Sequence, residues 1–189
     1  MNRARTAAAL LVAGLLALLV TACGSGDTDG APLAASQQSA DGVVPGYSMT
    51  IPKLNVSSQL VGLGLNADKS IQVPPLADPM QAGVYTKGPM PGQVGPAVVL
   101  AHVNSDGKPG FGAGFHDLAA GDEINVATPQ GQVTYAVTRT ETIPKAEFPT
   151  ASVYSDTTDP ELRLITCGGT LDRGAHNYLG QTIVYAKKA

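Results

Sequence analysis

From residue 47 onward the apolar positions come in short runs separated by turn-forming residues, which is the signature of strands rather than helices. Residues 49–51 precede Pro52, and Leu54, Val56 and the stretch 60–65 supply brief apolar segments broken by glycine. Pro74-Pro75 and Pro89 to Pro91 interrupt any helix. Behind Pro96, residues 97–103 (AVVLAHV) form a continuous apolar run and predict a buried strand. Residues 115–120 suit one short helical turn. Segments 123–127 and 133–139 flank Pro129-Gln130-Gly131 and predict a hairpin. The last two apolar segments are 162–166 and 182–186. Short strands at regular spacing predict an all-β fold with short helical turns, closed as a sheet or barrel that leaves no free edges. No amphipathic helix longer than about two turns is visible.

The N-terminus follows a different pattern. Asn2-Arg3-Ala4-Arg5 is a basic opening, and the apolar run 7–20 after it is shorter than the ~20 residues a membrane-spanning helix requires. It ends in Val20-Thr21-Ala22-Cys23, similar to the lipobox of bacterial lipoproteins, in which the cysteine is lipidated and becomes the new N-terminus. The expectation is a lipoprotein signal peptide over 1–23, a flexible linker over 24–46 and a folded domain over 47–189. The linker is rich in Gly, Ser, Ala, Asp and Gln and lacks periodicity, as a tether does.

Composition narrows the function. The chain has 189 residues, of which 22 are Gly and 14 Pro, favouring turns over long helices. The net charge is −3 with Lys and Arg scattered, so no basic footprint for nucleic acid exists. The two cysteines are Cys23 and Cys167. With Cys23 taken by lipid, Cys167 is a lone thiol in an exported protein, where cysteines are usually paired or avoided. Such a thiol is either reactive or a small buried hydrophobe.

Two side chains combine reactive chemistry with a strand end. His102 lies near the end of 97–103, and Cys167 directly follows 162–166. A thiolate attacks a carbonyl, an imidazole delivers a proton to the departing amine, and a donor must stabilise the oxyanion. His102 also suits a structural role inside an apolar sheet, and His116 and His176 suit exposed loops. No metal-ligand spacing connects these histidines with Cys167, so neither metal nor cofactor is expected.

Leu164-Ile165-Thr166-Cys167 resembles the strand-end motif around the nucleophile of the sortase family. Further matches follow in order: Ile51-Pro52-Lys53-Leu54, residues 95–103 around His102, and residues 118–126 (LAAGDEINV). Cys167-Gly168-Gly169 and Ile183-Val184-Tyr185-Ala186 are similar to class F sortases of actinobacteria. The resemblance implies an eight-stranded sortase-like β-barrel. It implies a membrane-anchored cysteine transpeptidase that cleaves an LPxTG-like sorting signal through a Cys thioester, a thiol-protease type of hydrolase. The implied partners are secreted proteins carrying C-terminal sorting signals and an amine acceptor on cell wall or pilin. The implied location is the outer face of the cell membrane, with lipid at Cys23 in place of the usual transmembrane helix.

The family's Cys and His map to Cys167 as nucleophile and His102 as general acid/base. Its Arg often stands just before the last strand, where this chain has Gln181, so the oxyanion or substrate-stabilising role falls to Arg173, the one arginine after Cys167. Arg173 also reads as a solvated loop charge. Thr166 either helps bind substrate at the oxyanion, through its hydroxyl or backbone N–H, or packs within its strand. Ala101 stands where glycine is expected before the histidine. Val84 stands where an aromatic residue is expected, which would alter the peptide groove. An L,D-transpeptidase is the less fitting Cys/His enzyme, since no S-H-G-C-x-R run occurs. The non-enzymatic alternative is a catalytically degenerate sortase-like lipoprotein acting as a binding module.

Overall fold

The computed structural model describes residues 42–175 and 177–189. The expected leader, Cys23, most of the expected linker, and His176 lie outside the described residues. The strands in chain order are β1 Val43–Ile51, β2 Val56–Leu63, β3 Ala82–Tyr85, β4 Gly95–Ala101, β5 Asn104–Ser105, β6 Lys108–Pro109, β7 Glu123–Thr128, β8 Gly131–Pro144, β9 Pro160–Asp172 and β10 Asn177–Lys188. Eight of them close into a barrel in the order β1-β2-β3-β4-β9-β10-β8-β7, and β7 pairs back onto β1. The remaining two, β5 and β6, form a separate small hairpin. The one α-helix among the described residues, α1 Thr150–Tyr154, is a little over one turn. The chain therefore folds as the all-β closed barrel with short helical turns that its pattern predicts.

Most expected strands are present but longer. The run 97–103 is the core of β4, which opens at Gly95 and stops at Ala101, so His102 lies just past the strand. Strand β8 continues beyond Arg139 through Thr140, Glu141 and Thr142, because each pairs with a residue of β10. Ladder pairing rather than apolar content extends it, and Thr142 and Thr182 share a 2.8 Å hydroxyl hydrogen bond there. The expected linker end is corrected too: Val43 to Gly46 belong to β1 rather than to a tether. Their glycine and proline disguise a strand irregularity. Gly46 has φ +80 and the register against β2 shifts between Val43 and Ser48.

The pairings fix strand directions. Strands β4 and β9 are parallel, as are β2 and β3, and every other barrel pair is antiparallel. It follows that β1, β4, β8 and β9 run one way and β2, β3, β7 and β10 the other. His102 and Cys167 thus lie toward one end of the barrel, while Val43 and Lys188 lie at the other.

Two of the recurring sequence segments meet at the end of the barrel near His102. Lys53, in the turn after β1, donates to the Asp117 carbonyl at 2.8 Å and to Asp122 Oδ2 at 2.7 Å. The backbone N–H of Ala119 also donates to Asp122, and that bond followed by Lys53 holds the Asp122 carboxyl below its ordinary pKa. Isoleucine-proline-lysine and glycine-aspartate motifs are thereby halves of one clasp between β1 and β7.

The barrel interior is filled by alternate residues of each strand, among them Met49, Leu60, Val99, Tyr135, Leu164 and Val184. A second cluster, Val98, Val153, Ile165, Ile183 and Tyr185, lies on the outer face and seats α1. Beside it Glu161, largely buried, pairs with Arg163 at 2.5 Å and Lys187 at 3.2 Å. Burial would raise the Glu161 pKa, but hydrogen bonds from Arg163 and Lys187 outweigh it and hold the carboxyl below its usual value.

Two outcomes follow for stability. Leu164→Ala empties part of the barrel core and lowers unfolding free energy by about 2–5 kcal/mol in denaturant titration. The depressed Glu161 carboxyl adds stability that is fully present above its unfolded value near pH ~4.3 and is lost as pH falls through the lower folded value. Glu161→Gln removes that part of the acid dependence and costs roughly 3 kcal/mol at neutral pH, since buried Arg163 loses its partner. Denaturant midpoints measured from pH 7 down to acid-induced unfolding check both effects.

Candidate active site

The parallel ladder between β4 and β9 places Leu100 opposite Ile165. A step of two residues along each chain reaches His102 and Cys167. Residues two apart share a face of a strand, so Cys167 keeps the face of Ile165, while His102 lies just past the end of β4. The ladder thus lays the segments that carry them side by side despite their separation in sequence.

The segment after β4 is folded tightly beneath His102. The N–H of Gly112 donates to the His102 carbonyl and that of Gly110 to the Val103 carbonyl, both at 2.9 Å. Neither position has room for a side chain. A Cβ on Gly110 would lie 2.2 Å from the His102 carbonyl oxygen, and one on Gly112 would lie 2.6 Å from Thr166 Oγ1. Phe111 and Phe115 are fully buried just beyond, edge to face with centroids 6.1 Å apart, and anchor this loop in the core.

The imidazole itself is oriented from the connection between β2 and β3. Buried Gln72 accepts from the N–H of Gly64 at 2.7 Å, which pins this arm to the end of β2. Two residues on, the Pro74 carbonyl lies 2.7 Å from His102 Nε2. A carbonyl only accepts, so Nε2 carries the proton and Nδ1 is the nitrogen left to exchange one in the neutral ring.

Cys167 is a free, half-buried thiol within β9. Directly across the β9–β10 ladder stands Gln181, and Gly168 faces Gly180. Beyond them β9 bulges at Gly169, where φ is +75, and the register shifts between Tyr178 and Gly180. Thr166, one residue before the thiol, points the opposite way and is buried against Gly112. Its Oγ1 is buried with no hydrogen-bond partner among the described residues. Arg173 is not brought beside Cys167: it stands exposed on the hairpin tip, where Asp172 Oδ1 accepts from the N–H groups of Gly174 and Ala175.

A groove of about 680 Å³ runs along the outer face of β4 and β9 and includes Gln181, the cross-strand partner of Cys167. Val98, Leu100 and Ile165 form its floor, and Tyr85, Phe148 and Gln181 line it. Val84 is corrected here. It is fully buried in the barrel interior, and its neighbour Tyr85 supplies the aromatic surface of the groove. The small size of Ala101 suits its buried place in the same interior. The Pro74 carbonyl and the carboxamide of Gln181 opposite the thiol were not singled out from sequence as functional. Both arise from contacts between distant segments.

Comparison with known proteins agrees with this architecture. A family profile described as the sortase domain matches residues 49–189. Sortase A from Corynebacterium diphtheriae superposes with a TM-score of 0.59 at 16% identity, covering 78% of this chain and 61% of that one. A Clostridium perfringens sortase D5 transpeptidase superposes at 0.56 with 18% identity, covering 79% of each chain. Listeria monocytogenes sortase A gives 0.56 at 22% identity, covering 79% of this chain and 88% of that one. These likenesses show the fold and span sortases of more than one class, with class F not singled out. Among curated proteins no relative matches the chain.

The glycine contacts yield a direct test. Gly110→Ala forces the His102 backbone away from its place and destabilises the protein by about 1–3 kcal/mol. A lowered denaturation midpoint checks this, and an unchanged midpoint would show that the loop yields freely.

Proposed function

The chain belongs to the sortase family, and on that premise we propose that it is a cysteine transpeptidase acting on an LPxTG-like sorting signal. The observation that carries the reading is the parallel register of β4 and β9, which ends with Leu100 opposite Ile165, two residues before His102 and Cys167. In this reading the groove over Val98, Leu100 and Ile165 receives the extended peptide, its apolar floor matching apolar side chains of the signal.

The Cys167 thiolate attacks the carbonyl of the scissile bond and forms a tetrahedral oxyanion. Collapse expels the amine of the C-terminal fragment, which takes a proton from His102, and leaves a thioester on Cys167. An acceptor amine on cell wall or pilin then gives its proton to His102 and attacks the thioester. The new amide leaves, and the thiolate returns. The Pro74 carbonyl fixes the ring through Nε2, so the proton is exchanged at Nδ1.

Lipidation at Cys23 would hold the enzyme at the outer face of the membrane, where secreted substrates emerge. Two acyl chains suffice for stable anchoring, each buried CH₂ contributing about 0.8 kcal/mol. The second reading, a degenerate binding module, is favoured by one observation: a neutral Gln181 rather than a guanidinium faces Cys167.

Incubation with LPxTG-like peptides followed by intact-mass spectrometry separates the two. The expected outcome is an acyl adduct that is absent in Cys167→Ala, and loss of about 10²–10⁴ in its rate of formation in His102→Ala. Arg173→Ala, at the exposed tip, changes that rate less than about tenfold, as expected of a solvated surface charge. No adduct across a broad peptide panel, with a thiol that also resists alkylation, would leave the binding module.

A further inference from the structure

We propose that Gln181 holds the scissile peptide unit at Cys167, donating from Nε2 to the developing oxyanion and accepting a backbone N–H of the substrate at Oε1. The proposal rests on the transpeptidase reading above and assigns the oxyanion donor within it.

Three observations converge on this side chain. Gln181 is the cross-strand partner of Cys167, and directly opposed residues carry their Cβ atoms about 4.5–5.5 Å apart on the same face. It also lines the groove together with Ile165, two residues before the thiol. Finally, its Oε1 is buried and has no hydrogen-bond partner among the described residues. Buried amide oxygens are rarely left so, and an unmet acceptor calls for an N–H. An extended peptide supplies one N–H and one carbonyl per residue, the complement of a carboxamide that both accepts and donates. A guanidinium has no acceptor and could not make the first of these bonds.

The described arginines are placed elsewhere. Arg139 and Arg163 stack on the ring of Tyr185, their guanidinium carbons 3.4 and 4.9 Å from its centroid. Arg163 is further fixed by Glu161 and by the carbonyls of Leu162 and Ser152. Arg173 occupies the exposed tip described above. Gln181 is left as the polar side chain facing the thiol from the neighbouring strand.

In the acylation step the sulfur–carbon bond forms as the carbonyl π pair moves onto oxygen, where Nε2–H of Gln181 receives it. The carbon–nitrogen bond then breaks, and the departing amine carries off the proton from His102. The glutamine neither gains nor loses a proton, so its contribution is a hydrogen bond that strengthens as charge develops.

The test uses the full chain purified in detergent, an LPxTG-like peptide as probe, and two readouts. These are the rate of acyl-adduct formation on the Cys167 peptide, and the rate of its alkylation by iodoacetamide without substrate. Gln181→Ala is expected to slow acylation about 10²–10³-fold, the effect of removing one oxyanion donor, while alkylation stays within about threefold because the thiol is untouched. Gln181→Glu keeps shape and acceptor but loses the donor, and it is expected to fail in acylation as well. Acylation by Gln181→Glu at the parental rate overturns the donor role, even should Gln181→Ala fold poorly. Parental acylation by a folded Gln181→Ala overturns the proposal entirely while leaving the transpeptidase standing. A parent that neither acylates with any peptide of a broad panel nor alkylates overturns the transpeptidase reading, and this assignment falls with it.

Discussion

The parallel pairing of β4 with β9 is the constraint on which the site depends. Parallel neighbours cannot be joined by a tight turn, and here the chain leaves β4, builds β7, β8 and α1, and only then returns as β9. The register that sets Leu100 against Ile165 is enforced by alternation: Val99 and Leu164 must enter the barrel while Leu100 and Ile165 face the groove. A slip of one residue would bury the thiol and turn Thr166 outward. Core packing and placement of the Cys167 thiol are therefore a single requirement.

That coupling explains which features could be read in advance. The apolar runs of β4, β9 and β10 are visible in sequence because they are buried in a shared interior, and the rare Cys167 stands out against them. Polar strand extensions such as Thr140 to Pro144 are not visible, since only their partners on β10 make them strands. The facing of Thr166 and Val84 was implicit in strand periodicity, one residue from Cys167 and Tyr85 respectively, but which face is inner depends on closure of the barrel. The Pro74 carbonyl was hidden more deeply. Pro74-Pro75 signals a helix breaker, whereas its function at His102 depends on Gln72 fastening the arm to Gly64.

Charge is distributed unevenly around the barrel. Tyr185, whose hydroxyl donates to Glu141 at 2.7 Å, has its pKa pushed up to about 12 by burial and then by that carboxylate. Around it Arg139, Arg163 and Glu161 join β8, β9 and β10 on the outer face. The reactive end is built differently: apolar Leu100 and Ile165, a backbone carbonyl on the imidazole, and a carboxamide across from the sulfur.

The direction of β1 also determines reach. The chain enters the barrel at Val43 and leaves it at Lys188, both at the end remote from Cys167. The seven residues of β4, rising about 3.3 Å each and tilted, give the barrel a height of roughly 20 Å. The length of the barrel therefore separates Val43 and Lys188 from the end that carries Cys167. A fusion at the C-terminus would lie at that remote end and leave Cys167 clear.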